Sequence, residues 1–420
     1  MKKVEEYNRD LKPRKGSTFV RLVTKTISSF ALMKNKVKVE KVNFDKLKGP
    51  CLVLANHASF YDIYVTGKVI FPRRCNFVAA MDAFLIAPSH LMRLVGGFAK
   101  RRYVTDLSVI KNMKYSLDNN KAILLMFPEA RYSVSGTNEV LPDSIGKVIR
   151  MLKVPVLIMN ISGSYMARPQ WNKVWRDIPI NVKITKILDP EDIKKMNAAE
   201  INETVKNNFA YNDWEYIKKV GYKLKKERRC DGINRILYKC PNCKKEHLMR
   251  SYNDEIWCDS CSKKWIMDEN GDITAVSGDT EFTNVPDWYR WEREEVRKEI
   301  ENGTYLFDSK VLVQTMPNDK KLYDQGEGHL VHDVNGFHFD CKLYNEQYHK
   351  DWSPLEQYTC HVEYNFQDKG DAIGLSVVNE SFFMYPIKRR DVVTKVALAV
   401  EELYKIKRQE VIEKTRKKED

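Results

Sequence analysis

The chain has 420 residues, 43% hydrophobic and 30% charged, with 71 lysines and arginines against 57 acids for a net charge of +14. That length exceeds one ordinary domain, so two or three are expected, and the basic excess points to nucleic acid, an anionic membrane surface or phosphorylated substrates. No apolar run approaches the ~18 residues of a membrane-spanning helix, and residues 1–10 lack the apolar core of a secretory signal. Nine cysteines, four of them in two tight pairs, suit a reducing compartment and a metal site better than a disulfide scaffold, so the cytoplasm is the expected location.

In chain order, residues 17–34 place Phe19, Leu22, Val23, Ile27, Phe30 and Ala31 at three- and four-residue steps, with Arg21, Lys25 and Ser28 on the other side. This is an amphipathic helix, either packed on its own domain or lying in the membrane interface with its basic residues near lipid phosphates. From 37 to 190, strand-like runs at 37–42, 51–55, 76–81, 122–127, 156–159 and 181–187 alternate with helical patterns at 61–70, 82–94, 106–118 and 144–152. The alternation predicts an α/β domain with a largely buried sheet. Residues 189–208 open with Asp189-Pro190-Glu191-Asp192 and read as one helix begun by proline and acids.

Lysines and arginines then crowd the stretch from Tyr216 to Cys230, which reads as a solvated linker or as a contact for anionic lipid. A cysteine module covers 230–275, and 285–302 reads as a charged helix carrying tryptophans. Strand-like runs at 311–315, 329–334, 337–343, 358–364, 373–378 and 382–385 precede a final helix at 390–408. Strands closed by one helix suggest a β-rich domain loosely like a pleckstrin-homology fold.

The apolar run at 51–55 leads straight into Asn56-His57-Ala58-Ser59-Phe60-Tyr61-Asp62. If a helix begins near Ser59, Asp62 lies in its first turn and reaches back to the His57 ring. A carboxylate on one ring nitrogen fixes the tautomer and leaves the other nitrogen to accept a proton. Acyl transfer from a thioester to an alcohol needs such a base, since the hydroxyl is a weak nucleophile until its proton is drawn off. With the alcohol attacking directly, no serine or cysteine nucleophile is required.

Asn-His-x-Ser-x-x-Asp after an apolar strand resembles the first signature of the glycerolipid acyltransferases, the 1-acylglycerol-3-phosphate acyltransferase family. Three further blocks follow in that family's order. Gly96-Gly97-Phe98-Ala99-Lys100-Arg101-Arg102 occupies the second, with Arg102 at the family's arginine and Asp82 where an upstream lysine is usual. Phe127-Pro128-Glu129-Ala130-Arg131-Tyr132-Ser133 resembles the third, with Ala130 where glycine is commoner, and Val154-Pro155-Val156-Leu157-Ile158 matches the fourth. The resemblance spans about residues 35–190. It implies His57 as general base with Asp62 as its orienter. It also implies Arg102, Glu129, Arg131 and Ser133 as residues binding a lysophospholipid acceptor, lysophosphatidic acid first. The implied donor is acyl-CoA or acyl carrier protein, and no catalytic metal is expected. Taken as bare residues, the arginines read equally as buried structural groups and Glu129 as the cap of a following helix.

Cys240-Pro-Asn-Cys243 and Cys258-Asp-Ser-Cys261 have the spacing that brings four thiolates to one tetrahedral zinc. Four thiolates leave no open position, so structural Zn2+ is expected. His247 and Cys230 are outside candidates. The knuckles are flanked by Lys239, Lys244, Lys245, Lys263 and Lys264, with Trp257 and Trp265 able to stack on bases, which raises nucleic-acid binding as a lesser alternative.

The expected organisation is a basic N-terminus with an amphipathic helix (1–34), an α/β acyltransferase domain (35–210), a basic linker (211–229), a zinc ribbon (230–275) and a β-rich domain with a C-terminal helix (280–410). The expected protein is a cytoplasmic acyltransferase held peripherally at the inner face of the cell membrane. The rival reading is a non-catalytic lipid- or nucleic-acid-binding scaffold that uses the ribbon and the C-terminal domain.

Overall fold

Strands β1 (Val37–Val42), β2 (Leu52–Ala55), β3 (Cys75–Ala80), β4 (Gly97–Lys100), β5 (Ile123–Met126), β6 (Val156–Ser162) and β7 (Ile180–Leu188) make one sheet of order β1-β7-β6-β2-β5-β3-β4. Its neighbours run parallel except β6 and β7. The central strands β2 and β5 read Leu-Val-Leu-Ala and Ile-Leu-Leu-Met, the continuous apolar runs of strands covered on both faces. This computed structural model describes residues 4–44, 47–388 and 391–419, so residues 1–3 of the N-terminal stretch and residue 390 of the expected last helix lie outside the described residues. The chain forms two units, Met1–Lys223 with Pro317–Lys321, and Leu224–Met316 with Leu322–Asp420.

Unit 1 carries helices α1 (Thr18–Ala31), α2 (Asp62–Ile70), α3 (Ser89–Leu94), α4 (Leu107–Asp118), α5 (Ile145–Leu152), α6 (Ser164–Ala167), α7 (Pro190–Lys195), α8 (Ala198–Asn208) and α9 (Asp213–Lys219). A core joins Leu52, Leu54, Leu124 and Ile158 of the sheet to Met113 of α4, Ile149 of α5 and Val205 of α8. Two expected helices are each divided. Pro88 ends the first part of 82–94, a short 3-10 turn over Met81–Leu85, before α3 begins. Residues 189–208 restart at Asn197, whose side chain accepts from the Ala199 and Glu200 amides while Glu200 accepts from the Asn197 amide, a capping box for α8.

Strand β4, which lies inside the glycine block, and helix α9, which lies inside the expected linker, were not anticipated. Helix α9 buries Trp214 and Ile217, so residues 211–219 belong to the packed unit and the basic stretch follows that helix.

Helix α1 packs on α2 through its small polar side chains. A Cβ placed on Gly67 would lie 2.7 Å from Ser28 Oγ and 3.3 Å from a Thr24 methyl, so only glycine admits this approach. Phe19 and Phe30, on the opposite side, are 74% and 76% exposed, and Leu22, Val23, Ile27 and Met33 are exposed with them. The apolar face that a helix ordinarily buries is the one left outside. Among the described residues no helix is long and apolar enough to cross a membrane.

Unit 2 holds two antiparallel sheets. The smaller has β8 (Met249–Tyr252), β9 (Glu255–Cys258), β10 (Lys264–Met267) and β11 (Ile273–Ala275) in the order β11-β10-β9-β8. The larger comprises β12 (Phe307–Thr315), β13 (Tyr323–Asp333), β14 (Gly336–Leu343), β15 (Glu346–Trp352), β16 (His361–Glu363), β17 (Ala372–Ser376) and β18 (Ser381–Pro386), ordered β15-β14-β13-β12-β18-β17-β16. Helices α10 (Val285–Glu301) and α11 (Val393–Glu419) complete the unit. Strand β15 escaped the sequence reading because Glu-Gln-Tyr-His-Lys-Asp-Trp is a polar edge strand with little burial to impose alternation.

Candidate active site

Strands β2, β5 and β6 are parallel neighbours, and the loops at their carboxyl ends meet, the usual place for a site in an open α/β sheet. Strand β2 ends because Asn56 takes over the pairing with its side chain. Asn56 Nδ2 donates to the Ile161 carbonyl (2.9 Å), and the Ile161 amide donates to Asn56 Oδ1 (2.6 Å). The main chain is thereby freed to turn, and His57 follows.

Every polar group of the His57 backbone is held. Its amide donates to Glu129 Oε2 (2.8 Å), and its carbonyl accepts from the Ser133 amide (2.8 Å). The ring lies against Phe127 (4.1 Å between centroids, stacked) and Tyr132 (4.4 Å, tilted). Nδ1 meets Asp62 Oδ2 at 2.9 Å, while the side chain remains 22% exposed. The dyad read from the sequence is therefore brought into contact, with Nε2 as the nitrogen left for chemistry.

Asp62 is fully buried at the start of α2, and its Oδ2 also accepts from the Ala58 (2.7 Å) and Ser59 (3.0 Å) amides. Its Oδ1 accepts from the Ser164 hydroxyl, which in turn lies 3.0 Å from Ser59 Oγ. Three amide and hydroxyl donors besides the histidine hold the carboxylate in place. Ser164 gave no signal in the sequence, for it lies 102 residues from its partner.

The third block forms a loop braced from within. Glu129 sits beneath the site, accepting from the His57 and Glu139 (3.2 Å) amides, and burial pushes its carboxyl up to about 8. No helix follows it for the carboxylate to cap; the next is α5. Arg131 and Glu139 pair at 2.5 Å with each side chain 3% exposed, and Glu139 also accepts from the Val134 amide (2.7 Å). The Ser133 hydroxyl donates to the Thr137 carbonyl (2.7 Å) and accepts from the Gly136 amide (3.0 Å). Glu129, Arg131 and Ser133, expected at the acceptor, all make hydrogen bonds within this loop or to the His57 backbone.

Ala130 has φ +57°, in the left-handed region, which explains why glycine is the commoner residue there. Arg102 donates from Nε to the Ala130 carbonyl (3.0 Å) and pairs with Asp82, so the residue that departs from the family pattern is the arginine's counter-ion. The nearby cations are held elsewhere. Lys100 donates to the Arg101 and Val104 carbonyls (2.9 Å each), with its ammonium lowered to about 8 by burial, and Arg101 donates to the Pro317 carbonyl (2.8 Å).

In unit 2 the Sγ atoms of Cys240, Cys243, Cys258 and Cys261 lie within 4.8 Å of one another, with two pairs at 3.7 Å. A tetrahedral zinc with ~2.3 Å bonds to sulfur demands S···S edges of about 3.8 Å, and a disulfide needs ~2.0 Å, so the spacing fits a metal. Lys244 and Ser262, the residues after the two pairs, share left-handed φ of +61° and +58°, giving both turns the same knuckle shape. His247 stacks on Tyr238 and stands outside the four, as does buried Cys230.

Trp265 is fully buried against Trp288 (5.2 Å between centroids) and cannot stack on a base. Lys239 pairs with Glu246, Glu295 and Glu299, Lys263 with Glu281, and Lys264 with Glu255. The basic flank that suggested nucleic acid is largely neutralised within the unit.

Residues 34–162 match the family described as Acyltransferase. The 1-acyl-sn-glycerol-3-phosphate acyltransferase of Saccharomyces cerevisiae (strain ATCC 204508 / S288c) is 28% identical over 184 residues, 42% of this chain and 58% of the yeast protein. The chain thus spans less than two thirds of that relative. The crystal structure of the 1-acyl-sn-glycerophosphate (LPA) acyltransferase PlsC from Thermotoga maritima shows a slight likeness, at 21% identity and a TM-score of 0.37, covering 45% of this chain and 78% of that one.

Proposed function

We propose that this chain, whose residues 34–162 match the acyltransferase family, moves a fatty acyl group from a thioester, acyl-CoA or acyl carrier protein, to the hydroxyl of a lysophospholipid, with lysophosphatidic acid the leading acceptor. The observation that carries the reading is the His57–Asp62 contact at 2.9 Å at the carboxyl end of β2, with the His57 side chain 22% exposed. Asp62 holds the proton on Nδ1. Nε2 takes the acceptor's hydroxyl proton as its oxygen attacks the thioester carbonyl. When the tetrahedral intermediate collapses, the carbon–sulfur bond breaks and the imidazolium returns its proton to the departing thiolate. Positioned base catalysis of this kind supplies roughly 10² to 10⁴ in rate.

Arg102 is the cation we assign to the acceptor phosphate, standing between the second and third blocks. Its pairing with Asp82 and its bond to the Ala130 carbonyl hold the guanidinium beside the third-block loop. Glu129, Arg131 and Ser133 act through the backbone they hold. The outward apolar face of α1, with Arg21 and Lys25 rooted at the end of α2 by contacts to Pro72 and Phe71, fits a helix seated in an anionic membrane surface at the cytoplasmic face. The four cysteines would hold a structural zinc that ties the small sheet together and takes no part in transfer.

The test is direct. Purified protein with lysophosphatidic acid and a radiolabelled acyl-CoA should yield phosphatidic acid, and a panel of lyso-acceptors ranks the headgroups. A protein that binds these lipids yet turns over none of them would instead support the scaffold reading.

A further inference from the structure

We propose that α9, a segment beyond the stretch matching the family, is the positioning element of the His57–Asp62 dyad, with Asp213 acting through Ser164 and Trp214 through the third-block loop. The inference rests on the acyl-transfer reading for its kinetic consequence, but the geometry stands by itself. Asp213 is fully buried, and its carboxylate accepts from the Gly163 amide (2.8 Å) and the Met166 amide (3.2 Å). Those amides flank Ser164 at the turn leaving β6, where Gly163 has φ +92°. A Cβ on that glycine would lie 2.4 Å from the Pro179 carbonyl oxygen, so the turn has one conformation only and Asp213 fixes it. The turn aims the Ser164 hydroxyl at Asp62 Oδ1, the oxygen not used by the histidine.

The same helix grips the other side of the dyad. The Asp213 amide donates to the Gly136 carbonyl (2.9 Å), and Trp214 Nε1 donates to the Ser135 carbonyl (2.7 Å). Gly136 and Ser135 continue from Ser133, whose amide holds the His57 carbonyl. One turn of helix thus fixes both supports of the dyad, the hydroxyl on the aspartate and the amide on the histidine backbone. A buried carboxylate satisfied by amides on either side of one serine is a costly arrangement for mere packing, because leaving any one group unpaired carries the full desolvation penalty.

The experiment compares wild type with Ser164→Ala, Asp213→Asn and the double variant, each first checked for a cooperative melt. The first readout is the low-field proton signal of the His57 Nδ1–H hydrogen bond, which needs no turnover. It is expected in wild type and weakened or exchange-broadened in both single variants. The second readout is kinetic, with kcat expected to fall roughly 10-fold in each single variant, KM unchanged, and the double variant no slower than the worse single one, since the two residues act in series. A structural Asp213 would lower the melting temperature while leaving the proton signal and kcat intact, and that result overturns the proposal, as does multiplicative loss in the double variant. Absence of turnover in wild type would defeat the acyl-transfer reading alone, and the proton signal would still decide the positioning claim.

Discussion

Two clusters of this chain, one in each unit, hold their carboxylates in different ways. In unit 1 the inward carboxylates around His57, those of Asp62, Glu129 and Asp213, are met by amide and hydroxyl donors. In unit 2 buried and half-buried acids meet cations along α10 and α11. Arg293 bridges Glu401 (2.6 Å) and Glu402 (3.1 Å), and Lys395 bridges Glu246 and Glu299 (2.7 Å each). A cation partner neutralises charge and locks helices together, whereas an amide partner fixes direction and leaves the charge available to a neighbouring group. The first arrangement builds a scaffold, and the second orients an imidazole.

The contrast can be broken at its ends. The largest effect is expected from removing the zinc we propose for the four cysteines. Cys240→Ser with Cys258→Ser, or a strong chelator, should unfold the small sheet of unit 2, because binding energy at such a site is folding energy. Circular dichroism should then lose antiparallel signal, while retained structure with no bound zinc would show that the cysteines are not ligands.

Next comes the pH dependence of stability, whose sign differs between the buried carboxyls of unit 1 and a buried histidine of unit 2. Burial raises Glu129 to about 8 and Asp213 to about 7, from 4.5 and 3.8. For each, between those values the folded unit holds a proton that the unfolded chain has released. Unit 1 therefore loses stability as pH rises from about 4 to about 8, at roughly 1.4 kcal/mol per pH unit for each group in its own window. His332 of unit 2 runs the other way. It is buried beside Tyr305 and lowered from 6.5 to about 3 by desolvation, so its contribution is complete above pH 6.5 and is lost as pH falls toward 3. Melts followed between pH 3 and 8 should show Glu129→Gln flattening the fall of the unit 1 transition above pH 4.5, and His332→Gln removing a rise with pH in the unit 2 transition below pH 6.5. Unchanged profiles in both variants would remove the comparison.

The smallest effect concerns one backbone angle. Ala130→Gly should relieve a left-handed alanine and stabilise unit 1 by about 1 kcal/mol in urea unfolding. A destabilised glycine variant would mean that the alanine methyl is needed where it sits.

What the sequence disclosed follows from distance along the chain. His57 and Asp62 are five residues apart and the four clustered cysteines come in close pairs, so local spacing pointed to both groupings. The buried sheet was legible because β2, β5 and the first four residues of β6 are unbroken apolar runs. Helix α9 was not, since seven mostly polar residues beside a run of lysines look like a linker until Asp213 is seen against Gly163 and Met166. The inward turn of Arg131 was hidden for the same reason: its partner Glu139 lies on the far limb of a loop that has no periodicity to read. Asp82 looked like a defect in the second block and is instead the counter-ion of Arg102.

One measurement addresses the central claim most directly: the rate of acyl transfer to lysophosphatidic acid by His57→Ala beside wild type, at matched fold and zinc content. The account predicts a loss of roughly 10² to 10⁴ in kcat with the melting profile preserved. Transfer by the variant at the wild-type rate would contradict it.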